Sequence, residues 1–293
     1  MNPKTAITAA LMMVICCAFI ALSTFFAKVL GRGVDGTPMH PFQISFGRYV
    51  FALSALFIVS AVKRVNYSDA PLPLYIGRAI CGWGGVTCMF AAASVIPLAD
   101  ATAISFLNPV FAMFLAIIFL KETVGPIRWI AAAIALTGGA VLIRPGGETM
   151  RPEALIALCA AGFMATEIIF AKLLARREPV LRILLITNII ATTLATMAAI
   201  WVWRAPSLLE WGVMAIVGLT MLMAQTLFMI TIQKTDASFA TPFFYATLVF
   251  AALYDAIWFA EYPDELSTLG AALIVFGAII LAIREGRRRS SPQ

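Results

Sequence analysis

The chain has 293 residues, 62% of them hydrophobic and only 12% charged, with a mean hydropathy of +0.95. Soluble domains carry about 25% charged residues, so a water-soluble fold is excluded and an all-α integral membrane protein is expected. The net charge of +6 is spread over short loops and one tail and calls for no nucleic-acid partner.

A helix of about 20 residues crosses a hydrocarbon core of about 30 Å. Ten apolar stretches of that kind are predicted: 7–30, 42–62, 74–96, 102–120, 125–143, 153–174, 180–203, 209–232, 238–260 and 267–283. The first follows Lys4, but its apolar run exceeds the roughly 7–15 residues of a signal-peptide core, so it counts as a span. The loop after it, GRGVDGTPMHP, holds His40, the sole histidine, which argues against a histidine-based metal site.

The second span contains Arg48 within ISFGRYVFALSALF. At 1.5 Å per residue it lies about 9 Å from the nearer end. It is expected in the outer half of its helix, reaching a polar or charged partner and serving architecture more than substrate contact. The third span carries Arg78, shallow enough to snorkel, and then Trp83, Thr87 and Phe90. Asn108 and Pro109 fall in the fourth span, and the turn KETVGP after it holds Glu122. Glu167 lies deep in the sixth span, where a carboxylate can bind an ammonium, carry a coupling proton, or simply pair with a neighbouring helix. Gln225 lies in the eighth span. The ninth carries Pro242, Phe244, Tyr245 and, between Tyr254 and Trp258, Asp255, for which an interfacial place is expected; EYPDE with Glu261 follows.

Three groups of candidates result. Trp83, Thr87, Phe90, Asn108, Gln225, Phe244 and Tyr245 are candidates for a substrate cavity, since rings can stack and amides can hydrogen-bond a solute. Each alone is equally explained as interhelical filler or glue. Arg48, Arg78, Glu167 and Asp255 are the intramembrane charges. Glu122 and Glu261 are candidate gate residues, with the ordinary helix-end charge as the alternative. Pro109 and Pro242 break the helical ladder and free carbonyls, which is tolerated at membrane depth where they face protein or a cavity. The cysteines, Cys16, Cys17, Cys81, Cys88 and Cys159, have no metal-ligand spacing; no metal and no cofactor is expected.

Lysine and arginine set orientation. With both termini cytoplasmic, 14 of the 21 basic residues fall on the cytoplasmic side, 5 on the other, and Arg48 and Arg78 within spans. The basic tail REGRRR then serves as a cytoplasmic anchor.

The chain also repeats itself. Phe26-Ala27-Lys28 matches Phe170-Ala171-Lys172 at an offset of 144, Gly82 matches Gly218 at 136, and Glu122, Gly138 and Leu142 match Glu261, Gly277 and Leu281 at 139. Two five-span halves are expected, 1–146 and 147–293, and an odd number of spans inverts the second half. Inverted repeats are a usual construction of secondary transporters.

The segments FFAKVL, HPFQISFGRY and IPLADATAISFLNPVFAMFLAIIFLKETVGPIRWIAAAIALTGGAVLIRPG resemble the drug/metabolite transporter superfamily, EamA type. Within it the chain looks closest to bacterial exporters of the YddG type. That resemblance implies export of aromatic amino acids and related small molecules across a bacterial inner (cytoplasmic) membrane. Leu248 in place of Pro109 and Ile186 in place of Arg48 make the halves unequal. A different metabolite class is the first alternative. A membrane-embedded enzyme lacks HExxH, GxSxG and any histidine within a span, and a channel lacks rings of like charge. Ten spans can enclose a pathway in one chain, so a monomer in the lipid bilayer is expected.

Overall fold

The structure, a computed structural model, describes residues 3–34, 36–62, 70–120, 126–143, 153–175, 177–234 and 246–289. Among the described residues every regular element is a helix: α1 (Pro3–Arg32), α2 (Pro41–Val62), α3 (Leu72–Val95), α4 (Leu98–Ser105), α5 (Asn108–Leu120), α6 (Pro126–Ile143), α7 (Ala154–Ala175), α8 (Val180–Ile200), α9 (Leu208–Lys234), α10 (Ala246–Phe259) and α11 (Glu265–Arg289). Among the described residues seven stretches are long and apolar enough to cross a membrane, one of them running from α4 into α5, and three shorter apolar helices, Trp129–Val141, Ala246–Phe259 and Glu265–Gly277, accompany them.

Local chemistry fixes where the helices start. Pro41 and Pro126 open α2 and α6, and Pro71, Pro97 and Pro179 precede α3, α4 and α8. Proline has no N–H to lose at a helix start, and its fixed φ suits the first turn. A capping box opens α9: the Glu210 N–H donates to Ser207 Oγ at 3.2 Å, and the Ser207 N–H donates to Glu210 Oε2 at 2.8 Å.

Two expected spans need correction. The fourth begins at Leu98 instead of 102 and is broken at Phe106–Leu107, where the chain tightens into three-residue turns before α5. Pro109, second in α5, cannot donate to a carbonyl of α4, so a continuous ladder is impossible there. The seventh ends at Ile200 instead of 203, and Trp201, 88% exposed, lies past its end.

The most extensive helix pairs are α6 with α11, α3 with α7, α1 with α9 and α2 with α8. Lipid gives no hydrophobic drive to such pairing, so close backbone approach at small residues must supply it. The α6–α11 seam is reciprocal. A Cβ on Gly138 would lie 2.6 Å from Gly270 O and 2.8 Å from Ile274 N; one on Gly277 would lie 2.6 Å from Ala131 O and 2.8 Å from Ala135 N. The positions 131, 135 and 138 are each 139 residues from 270, 274 and 277, so the seam maps onto itself when the two helices are exchanged.

Candidate functional site

Among the described residues, two charged clusters between the helices contain a fully buried lysine or arginine. The first joins the end of α1, the start of α4 and the end of α10. Lys28 follows the apolar run that makes α1 helical and is fully buried. Its Nζ donates to Asp255 Oδ1 at 2.7 Å and to Glu261 Oε2 at 2.6 Å. Arg32, one turn on, reaches Glu261 Oε1 at 2.7 Å. The second oxygen of Asp255 accepts the Leu98 N–H at 2.6 Å, satisfying one of the orphan donors at the start of α4 and placing negative charge at the positive end of its dipole. Beneath the cations the Phe259 ring lies 4.8 Å from Lys28 Nζ and 4.6 Å from the Arg32 guanidinium, within cation–π range. Burial alone would raise the Glu261 carboxyl, but the hydrogen bonds from Lys28 and Arg32 outweigh it and hold the group below its usual value. Every charge here has a partner.

The second cluster lies between α2, α3, α7 and α8. The Arg78 Nε donates to Glu167 Oε1 at 2.9 Å, and Nη1 donates to Thr187 Oγ1 at 3.3 Å. A Cβ on Gly82 would lie 3.5 Å from Glu167 Cγ and 4.0 Å from the Tyr49 hydroxyl, so the missing side chain leaves room for both to converge. Arg48 itself, 1% exposed, stacks its guanidinium 4.1 Å above the Tyr49 ring. Its Nε and Nη1 are buried without a hydrogen-bond partner, as are Trp83 Nε1, Thr87 Oγ1 and Asn188 Oδ1.

Three expectations for the charges change. Arg78 does not snorkel: it is 2% exposed and held by Glu167 across the α3–α7 interface, so its charge is answered inside the protein. Asp255 is not an exposed charge at the rim: it is 1% exposed and paired with Lys28, while its neighbours Trp258 and Tyr262 take the exposed positions at 68% and 74%. Arg48 lies on the Tyr49 ring and leaves its Nε and Nη1 without the polar or charged partner expected of them.

The cavity candidates divide. Trp83 stacks near Phe42, centroids 6.0 Å apart, and packs against the cluster containing Tyr49 and Ala79. Phe90 is fully buried among Ile44, Met214 and Val217, a packing position between α3, α2 and α9. Asn108 is the first residue of α5, and Gln225 is half-buried on α9. Glu122, Pro242, Phe244 and Tyr245 lie outside the described residues. Lys28, Tyr49 and Thr187 escaped the sequence reading as members of these clusters. Lys28 was legible only as a basic residue between apolar Ala27 and Val29, and Tyr49 only as the neighbour of Arg48.

The profile of the EamA-like transporter family matches the chain twice, over residues 7–144 and 151–283. An S-adenosylmethionine uptake transporter of Rickettsia bellii is 29% identical, the match covering 87% of this chain and 88% of the relative. The pseudopaline exporter CntI of Pseudomonas aeruginosa is 25% identical over 82% of this chain and 85% of its own length, and a riboflavin transporter of Rhizobium johnstonii 26% over 85% and 83%. A solved crystal structure superposes with a TM-score of 0.65 at 19% identity, over 98% of this chain and 99% of that one, a likeness of fold.

Proposed function

The chain belongs to the EamA-like transporter family, and on that premise we propose that it is a secondary transporter of a small organic metabolite in the bacterial cytoplasmic membrane. It works by alternating access between two inverted halves, 1–146 and 147–293, with both termini cytoplasmic. The observation that carries this reading is the double match of one family profile to successive halves.

The helix contacts support it. Counting α4 and α5 as one span, exchange of the halves turns the α1–α9 pair into α7–α3 and the α2–α9 pair into α8–α3, while α2–α8 and α6–α11 map onto themselves. All of these pairs are present. Two halves related in this way can trade shapes around a site between them. On this reading the Lys28–Asp255–Glu261 cluster is a latch on the non-cytoplasmic side, closed here, and Glu122 belongs to its counterpart. Glu167 and Arg78 lie by the pathway, where Glu167 is the candidate coupling group.

For the substrate, we take an amino-acid-bearing metabolite with a ring to stack. Aromatic amino acids fit that description, and so does S-adenosylmethionine, which the name of a relative supplies. Riboflavin, from the name of another, has no amino acid group and is the contrasting class. The test is counterflow of labelled tryptophan, S-adenosylmethionine and riboflavin into proteoliposomes preloaded with the unlabelled compound. Saturable counterflow of either amino acid is expected. Saturable counterflow of riboflavin alone would overturn the substrate class, non-saturable flux would indicate a channel, and chemical change of the solute an enzyme.

A further inference from the structure

Three cations are buried among the described residues: Lys28, Arg48 and Arg78. Lys28 and Arg78 each meet a carboxylate within hydrogen-bond distance. Arg48 has no such ion pair, and its Nε and Nη1 are buried without a hydrogen-bond partner. An unpaired charge in a low-dielectric interior is costly, and snorkelling cannot relieve it in a residue 1% exposed. Backbone packing holds Arg48 in place: a Cβ on Gly218 of α9 would lie 2.7 Å from Arg48 O, and the guanidinium is seated on Tyr49. The residue thus stands where α2 meets α9 of the other half. With Arg78 and Glu167 neutralising one another, the cluster carries one uncompensated positive charge. Further unmet hydrogen-bonding groups gather on the adjoining helix: Thr87 Oγ1, 6% exposed as a residue, and Trp83 Nε1.

Resting on the transporter reading above, we propose that Arg48 is the receptor for an anionic group, a carboxylate, on the transported molecule. Trp83 Nε1 and Thr87 Oγ1, buried without partners on α3, are further groups that a bound solute could satisfy. The carboxylate would pair with the Arg48 N–H donors that lack partners, a charge-assisted contact stronger than a neutral one. The site is then neutral only when occupied. The Arg78–Glu167 pair remains to orient the rest of the solute.

The test compares ligands that differ only in the carboxylate: tryptophan against tryptamine, and S-adenosylmethionine against its decarboxylated form. Each competes with labelled counterflow in proteoliposomes of the full chain. In the wild type, loss of the carboxylate is expected to weaken competition at least tenfold. In R48Q, shown folded by its elution and thermal unfolding, most of that difference should vanish, while R48K should keep part of it, because a lysine supplies the charge without the planar fork. A carboxylate preference undiminished in folded R48Q would overturn the proposal. If R48Q is not recovered folded, R48K decides: a reduced preference supports the receptor and an unchanged one sinks it. Wild-type counterflow with no preference between acid and amine would keep the transporter reading and remove the receptor. Counterflow of no member of the series would remove both the substrate class and the receptor.

Discussion

The cluster at the end of α1, the start of α4 and the end of α10 and the cluster between α2, α3, α7 and α8 both set basic against acidic side chains around a cation that is almost fully buried. They differ in how completely their charges are answered. In the first, Lys28, Arg32, Asp255 and Glu261 satisfy one another and even serve a backbone N–H of α4. In the second, Arg78 and Glu167 pair while Arg48 is left with a ring face. Burial of charge therefore does not mark a binding site by itself. An unanswered charge in a rigid seat does.

The strongest way to break this comparison is to remove one cation from each cluster. K28M leaves the buried Asp255 carboxylate with a single N–H partner. Losing one member of a buried pair costs about 3–5 kcal/mol, so a large fall in apparent Tm, or failure to purify, is expected; K28M/D255L should recover much of it. R48M instead deletes a charge that has no counter-charge, and its apparent Tm should equal or exceed that of the wild type. A destabilisation by R48M as large as that by K28M would show that Arg48 has a structural partner and erase the contrast.

The α6–α11 seam offers the next largest effect. An added methyl at Gly138 or Gly277 meets backbone at 2.6 Å, and overpacking of that kind costs about 1–3 kcal/mol. G138A and G277A should lower the apparent Tm by similar amounts, as the reciprocal contact requires. G82A is the control: its nearest neighbour would be Glu167 Cγ at an ordinary 3.5 Å, and its stability should stay near that of the wild type. Unequal effects of the two seam variants would argue against the twofold relation.

Much of the fold was legible because its causes are local. Apolar runs of membrane length, prolines at helix starts and the Ser207–Glu210 box each leave a mark in the sequence. The equivalence of Gly138 and Gly277 was legible too, but not that the helices carrying them pack on one another. The partners of the charges left no such mark. Asp255 reads as interfacial beside Trp258, and only the approach of α1 reveals Lys28 against it. Glu167 and Arg78 are 89 residues apart, and their meeting depends on α3 and α7 packing through Gly77, Gly84 and Gly85 against Phe170, Phe163 and Met164. Arg48 was conspicuous from the start, but that it lacks a partner is a property of the assembled interface.

A smaller effect sharpens the second cluster from its acidic side. E167Q keeps the shape and removes the charge opposite Arg78, which retains Thr187. With the Glu167 side chain 21% exposed, water compensates in part, and a loss of about 1–2 kcal/mol is expected. The apparent Tm should therefore fall less than in K28M. If Glu167 couples transport to protons, E167Q should also lose the response of counterflow to an imposed pH gradient; a gradient response equal to that of the wild type would exclude that role.

The smallest effect comes from acid. Glu261 is held below its usual value in the folded protein, burial opposing and the hydrogen bonds from Lys28 and Arg32 prevailing. A depressed carboxylate contributes stability that is fully present above its unfolded value and is lost as pH falls through the folded one. The window therefore lies below the ordinary glutamate value of about 4.3. The side chain is 29% exposed, so screening keeps the contribution to about 1 kcal/mol or less. The apparent Tm of the wild type should fall on acidification through that window more steeply than that of E261Q, which already lacks the ionised carboxylate at neutral pH. Equal slopes would mean that water at the membrane surface outcompetes Lys28 and Arg32 for Glu261, leaving Lys28 and Asp255 alone to hold the ends of α1, α4 and α10 together.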